Sequence, residues 1–187
     1  MVAKFGDAIE ASVSKAASTG GKLGLTSNWE WEQWRGGKLI DEWKERNLCT
    51  DEGPTAALNI MFHAATQITV WAVALFEDDY TPLASNTYAA PGYTESTAYT
   101  EGTREDYVEA EASAKSITNI ASKAEFSMNA TKTIYGASLV GGGTDYNTKG
   151  DAAGGGTLFS SSKFTSSKSV ESGDTLKVTI TITSSDV

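Results

Sequence analysis

The chain has 187 residues, 40% of them hydrophobic, and a formal net charge of -9. That length allows one domain with a hydrophobic core, and the acidic balance without any basic patch argues against nucleic-acid binding. No stretch approaches the ~20 apolar residues of a membrane span, residues 1–25 lack the apolar block of a secretory signal, and the single Cys49 forms no intrachain disulfide, which suits a reducing cytoplasm.

Residues 1–27 read as an N-terminal arm. Ala8, Ile9, Ser12, Val13, Ala16 and Ala17 recur at near-helical spacing, Gly20-Gly21 breaks the pattern, and Leu23 and Leu25 lead on. This is too little apolar bulk for a core, so the segment is either a frayed terminus or an arm that orders against another subunit. Lys22 after Gly20-Gly21 does not make a phosphate loop. Ala16 stands where the leading glycine belongs, and Leu23 replaces the magnesium-binding hydroxyl.

Residues 28–187 read as the folded body. It opens with four of the five tryptophans, Trp29, Trp31, Trp34 and Trp43, and with Gly36-Gly37 between two aromatic runs. The glycine pair predicts a two-residue hairpin turn, because a helix would carry both at a cost of about 1 kcal/mol each. The four rings either cap one end of the core or meet another chain, since interface hot spots are enriched in tryptophan. Thr50-Asp51-Glu52-Gly53-Pro54 predicts a helix start, with Ala57, Leu58, Met61 and Phe62 as its buried stripe.

Ile68 to Phe76 is apolar on both faces and predicts a central strand. A connection from Glu77 to about Arg104 follows, carrying Tyr80, Tyr88, Tyr93 and Tyr99. Loops of that length are usually functional or packed on a neighbour. Further strands are expected near Tyr107–Ala114, Lys123–Met128, Thr133–Val140 and Thr157–Phe164, with Gly141 to Gly156 as a flexible connection. In the closing strand Leu176, Val178, Ile180 and Ile182 alternate with Thr175, Lys177, Thr179, Thr181 and Thr183, a half-buried antiparallel pattern. Seven or eight strands and one short helix predict a mainly β fold, an antiparallel β-sandwich or jelly-roll-like barrel with an extended N-terminal arm.

The chemistry of sites is thin. Asp145, Asn147 and Gly150 match the first, third and sixth positions of a calcium loop, but Lys149 and Gly156 stand where oxygen ligands are needed. His63 and Cys49 are the only residues of their kinds, and a helix between them would hold them about 20 Å apart. No Gly-x-Ser-x-Gly elbow occurs. Carboxylates cluster at Glu77-Asp78-Asp79 and from Glu105-Asp106 to Glu109 and Glu111, where a solvated edge is the stronger reading than a glycosidase pair. No catalytic, cofactor or metal residue is assigned, and the chain is not expected to be an enzyme.

The order of signals carries a resemblance. The tryptophan-rich hairpin runs into Asn47-Leu48-Cys49-Thr50-Asp51-Glu52-Gly53, then Val70-Trp71-Ala72-Val73-Ala74-Leu75-Phe76 and Thr103-Arg104. Ser122-Lys123-Ala124-Glu125-Phe126-Ser127, Ile134-Tyr135-Gly136-Ala137-Ser138-Leu139, Gly156-Thr157-Leu158-Phe159-Ser160 and Val170-Glu171-Ser172-Gly173-Asp174-Thr175-Leu176 complete it. Over about residues 29–183 this resembles a group of small virion proteins of tailed bacteriophages, commonly encoded near head and neck genes; residues 1–27 lie outside the pattern. The resemblance implies a structural, non-enzymatic role, made in the host cytoplasm and carried on the virion.

The expectation is therefore a capsid decoration, or cement, protein on the capsid surface. Its partner would be the major capsid protein, bound as a homotrimer at local threefold positions, with no membrane or nucleic acid involved. Contact residues would be Phe5, Ile9, Val13, Leu23 and Leu25 of the arm and Trp29, Trp31, Trp34 and Trp43. The alternative is a tail, neck or fibre-base component whose tyrosine-rich connection touches the host or an adaptor. A virion glycosidase using Glu105 or Glu109 is the remote third.

Overall fold

The computed structural model describes residues 23–150 and 154–186. β1 (Leu23–Arg35) and β2 (Lys38–Arg46) form the expected hairpin, with Gly36 and Gly37 at φ 55° and 76°. Positive φ at both central residues is what such a turn demands, and only glycine adopts it without strain. The short β3 (Leu48–Cys49) then crosses to a second sheet and leads into α1 (Glu52–Phe62). The remaining strands are β4 (Trp71–Phe76), β5 (Glu105–Asp106), β6 (Ser116–Thr118), β7 (Ala124–Ser127), β8 (Lys132–Gly141), β9 (Thr157–Val170) and β10 (Asp174–Asp186).

Two antiparallel sheets face each other. The first has the order β2-β1-β10-β6, with β7 also paired to β10; the second has the order β3-β9-β8-β4-β5. The fold is an antiparallel β-sandwich. Its ten described strands exceed the expected seven or eight because β3, β5 and β6, two or three residues each, are too short to show a period. The strand expected at Tyr107–Ala114 is absent. Pairing falls on either side of it, and Tyr107 instead buries its ring and donates its hydroxyl to the Ile180 carbonyl at 3.4 Å.

The body also begins earlier than residue 28. β10 is paired along its length by β1, from Arg35↔Asp174 to Leu23↔Asp186, so the strand claims residues assigned to the arm. Unpaired backbone groups of β10 would otherwise face the core edge without partners. Leu25 packs against the core as part of that strand.

Alternation along β10 holds in part: Leu176, Val178 and Ile180 are fully buried, but Thr179 of the opposite row is buried as well and Ile182 is half-buried. They meet Trp29 and Trp31 of β1, Val73 and Leu75 of β4, Ile134 and Leu139 of β8 and Phe159 and Phe164 of β9 in one cluster. β4 is apolar on both faces because the 77–104 connection forms a third layer outside the second sheet. There Ala72 meets Tyr88, Val140 and Leu158, and Tyr93 stacks on Phe76 at 4.7 Å between centroids.

Candidate functional site

The four tryptophans of the hairpin divide by strand parity. Trp29 and Trp31, expected at an interface, are core residues, 0% and 1% exposed. They occupy successive inward positions of β1, and cross-strand pairing brings Trp43 of β2 opposite Trp31. Trp31 and Trp43 stack at 5.8 Å with 4° between planes, and Phe164 meets both edge-on. Trp43 is half-buried in that stack, with the Lys168 ammonium 4.3 Å above its ring. The buried indole N–H groups of Trp31 and Trp43 find no acceptor. Each such group costs about 1–3 kcal/mol, which the large apolar area of the rings offsets. Trp34 alone points outward, on the opposite face of the sheet, and donates its N–H to Glu32 at 2.8 Å.

Of the arm residues, Leu25 is a core-packing residue, Leu23 opens β1, and Phe5, Ile9 and Val13 lie outside the described residues.

The surface that sequence reasoning missed is α1. Its first turn is anchored: Gly53 packs on β9 so closely that a Cβ there would sit 2.6 Å from the Phe159 carbonyl oxygen. Glu52 accepts backbone N–H groups of Tyr88 at 2.9 Å and Leu158 at 2.8 Å. Beyond that turn Ala56, Ala57 and Ile60 stay half-buried on the face that continues from Gly53. Leu58, Met61 and Phe62, expected to be buried, are 54%, 64% and 75% exposed. At spacings of three and four they form one apolar stripe facing solvent.

The register places this stripe at one end of the sandwich. β1 starts there at Leu23 and β10 finishes there at Asp186. Thr157 of β9, Gly141 of β8 and Trp71 of β4 pair in one row at the same end, and Cys49, just before α1, donates its thiol to the Leu25 carbonyl at 3.3 Å. Val70 and Val108, beside that row, are also exposed. From Gly53 to Val70 the sequence holds no Asp, Glu, Lys or Arg, which was the one available signal of this surface. The stripe is thus an exposed apolar patch on a charge-free segment, in a chain of net charge -9 and with Asp51 and Glu109 exposed at its margins.

The other chemical candidates do not assemble. Cys49 and His63 flank the eleven-residue α1, the thiol is bonded to Leu25, and burial pushes its pKa up, away from a nucleophilic thiolate. In the calcium-like loop, Lys149 donates to the Tyr99 and Glu101 carbonyls at 3.0 and 2.6 Å and pins the loop to the 77–104 connection. Among the described residues no three His, Cys, Asp or Glu side chains group as metal ligands. Glu105 lies on β5, half-buried, and its carboxyl is pushed up to about 7 by burial and by the charges of Glu101, Asp106 and Glu125. Glu109 sits on an exposed loop.

No helix among the described residues is long and apolar enough to cross a membrane. No protein-family model matches the chain, and a search of curated proteins finds no match.

Proposed function

We propose that this chain is a structural protein of a tailed-phage virion, a decoration protein seated on the major capsid protein through its α1 end. The carrying observation is the solvent-facing stripe Leu58, Met61 and Phe62 beside the point where residues 1–22 enter β1. Burying a fully exposed large apolar side chain stabilises by about 1.5–3 kcal/mol, so covering what these three leave exposed, 54%, 64% and 75%, gives a gross gain of about 3–6 kcal/mol for docking. A contact that spans neighbouring shell subunits stabilises the shell by mass action, because the decoration binds only the assembled state. A homotrimer at local threefold positions repeats that contact three times and adds avidity.

Trp29 and Trp31 have no part in this reading, since they are sealed in the core. The alternative, a tail, neck or fibre-base component, would use the tyrosine-rich connection as its contact. Tyr88 and Tyr99 of that connection are buried within the body, which favours the decoration reading. The test is the number of copies per purified particle, together with deletion of residues 1–22, which spares β1. Many copies per shell, reduced by the deletion, support decoration; a copy number of about twelve or fewer points to the tail or neck.

A further inference from the structure

A groove crosses the outer face of the first sheet, where Trp34 is the aromatic side chain of the four to point away from the core. It consists of two adjoining shallow depressions that share Glu125 of β7 and Lys177 of β10: one is lined by Trp34 of β1 and Thr175 of β10, the other by Glu32 and Lys123. We infer that this groove binds a neutral polysaccharide chain, with Trp34 as the platform on which a sugar ring stacks.

Four features carry this. First, the indole is held before any ligand arrives. Its N–H is bonded to Glu32, and the strand pairs it with Leu39 on one side and Thr175 on the other. A pre-ordered ring loses little rotamer freedom on binding; the indole is half-buried with the Lys177 ammonium over it, 5.8 Å from the ring centroid, and a pyranose would stack its C–H face on the apolar surface beside that contact. Second, the groups around it offer hydrogen bonds in both directions. Lys177 pairs with Glu125 at 2.6 Å and Lys123 pairs with Glu32, each pair partly open to solvent. An ionised carboxylate has about four acceptor sites and an ammonium three donors, so each pair keeps capacity for sugar hydroxyls.

Third, the groove is neutral. Two glutamates face two lysines, in a chain whose overall charge is -9, so neither a polyanion nor a polycation is favoured there. Fourth, the groove is open-ended. Gly36, Gly37 and Gly173 form one rim, and a Cβ at any of them would meet nothing within 4 Å. A polymer can therefore pass through rather than be captured by its end. Trp34 also stands eleven residues along β1 from Leu23, about 36 Å at 3.3 Å per residue, so the groove and the α1 end lie at opposite ends of the sandwich. Seating α1 on a shell leaves the groove facing outward.

The test uses the full chain in native gels containing dextran, mannan or laminarin as soluble neutral polymers. At least one polymer should slow the wild-type protein at least twofold relative to a polymer-free gel. Trp34→Ala should remove the retardation, and Thr175→Arg, which fills the groove while keeping the ring, should do the same with an unchanged melting temperature. The triple variant Leu58→Ser, Met61→Ser, Phe62→Ser should be retarded like wild type, which separates this result from the docking proposal. No retardation by any of the three polymers, equal retardation of the Trp34 and Thr175 variants, or selective binding of a proline-rich peptide instead would overturn the inference.

Discussion

Arg104 holds Glu95 through two parallel hydrogen bonds, Nε to Oε1 at 2.9 Å and Nη2 to Oε2 at 2.6 Å, with only 4% and 8% of the two side chains exposed. The same guanidinium donates to the Tyr88 hydroxyl at 3.1 Å and to the Tyr146 carbonyl at 2.6 Å. One side chain thus fastens the long connection to the loop after β8. Removing one member of a buried ion pair strands the other charge, at a cost of about 3–5 kcal/mol. Arg104→Met is expected to lower stability by about that amount and to expose the connection to chymotrypsin at Tyr80, Tyr93 and Tyr99. Thermal melting and limited proteolysis check this; a cleavage pattern like wild type would remove the fastening role.

Asp174 anchors the β9–β10 turn in the same way. Arg35 Nε at 2.7 Å and Nη2 at 2.8 Å, Gln33 Nε2 at 2.8 Å and the Glu171 backbone N–H at 3.0 Å all donate to its carboxylate. These bonds, the Arg35 pair foremost, hold its pKa at about 2 against an ordinary value of 3.8. A depressed carboxylate stabilises the fold above the unfolded value and loses that contribution as pH falls through the folded one. Asp174→Asn should therefore lower the melting temperature at pH 6, and the gap from wild type should shrink between pH 4 and pH 2. A gap independent of pH would show that the charge contributes nothing.

Glu105 has the opposite sign. Its folded pKa of about 7 lies above the ordinary 4.5, so the fold binds this proton more tightly than the unfolded chain does. Stability from this group is complete below about pH 4.5 and is lost as pH rises through 7. Glu105→Gln removes the charge and its repulsion from Glu101, Asp106 and Glu125. The variant should gain on wild type in melting temperature at pH 8 and show little difference at pH 4. An equal effect at both pH values would contradict the burial of that charge.

How much of this was legible in the sequence depended on periodicity. The hairpin at Gly36-Gly37 and the β10 alternation were readable because each residue's face is decided locally. α1 was readable as a helix but not in its direction. Gly53 docks the first turn on Phe159 and sets Ala56, Ala57 and Ile60 on the half-buried face, so the opposite stripe of Leu58, Met61 and Phe62, core in composition, became surface. Trp29 and Trp31 failed as contact residues for the converse reason. Parity alone leaves the choice of inward face open, and the rings that close over Trp31, those of Phe164 and Trp43, come from other strands. The groove at Trp34 was illegible because Lys177, Glu125 and Lys123 reach it only through the β1–β10–β7 pairing.

The docking proposal is tested most directly by add-back to purified particles that lack this protein. Wild-type protein should bind to saturation at a fixed number of sites per shell. The variant carrying Leu58→Ser, Met61→Ser and Phe62→Ser, folded to the same melting temperature, should lose at least tenfold in affinity, about 1.4 kcal/mol or more. Equal binding by the variant, or no saturable binding by wild type, would contradict the assignment of α1 as the seat on the shell.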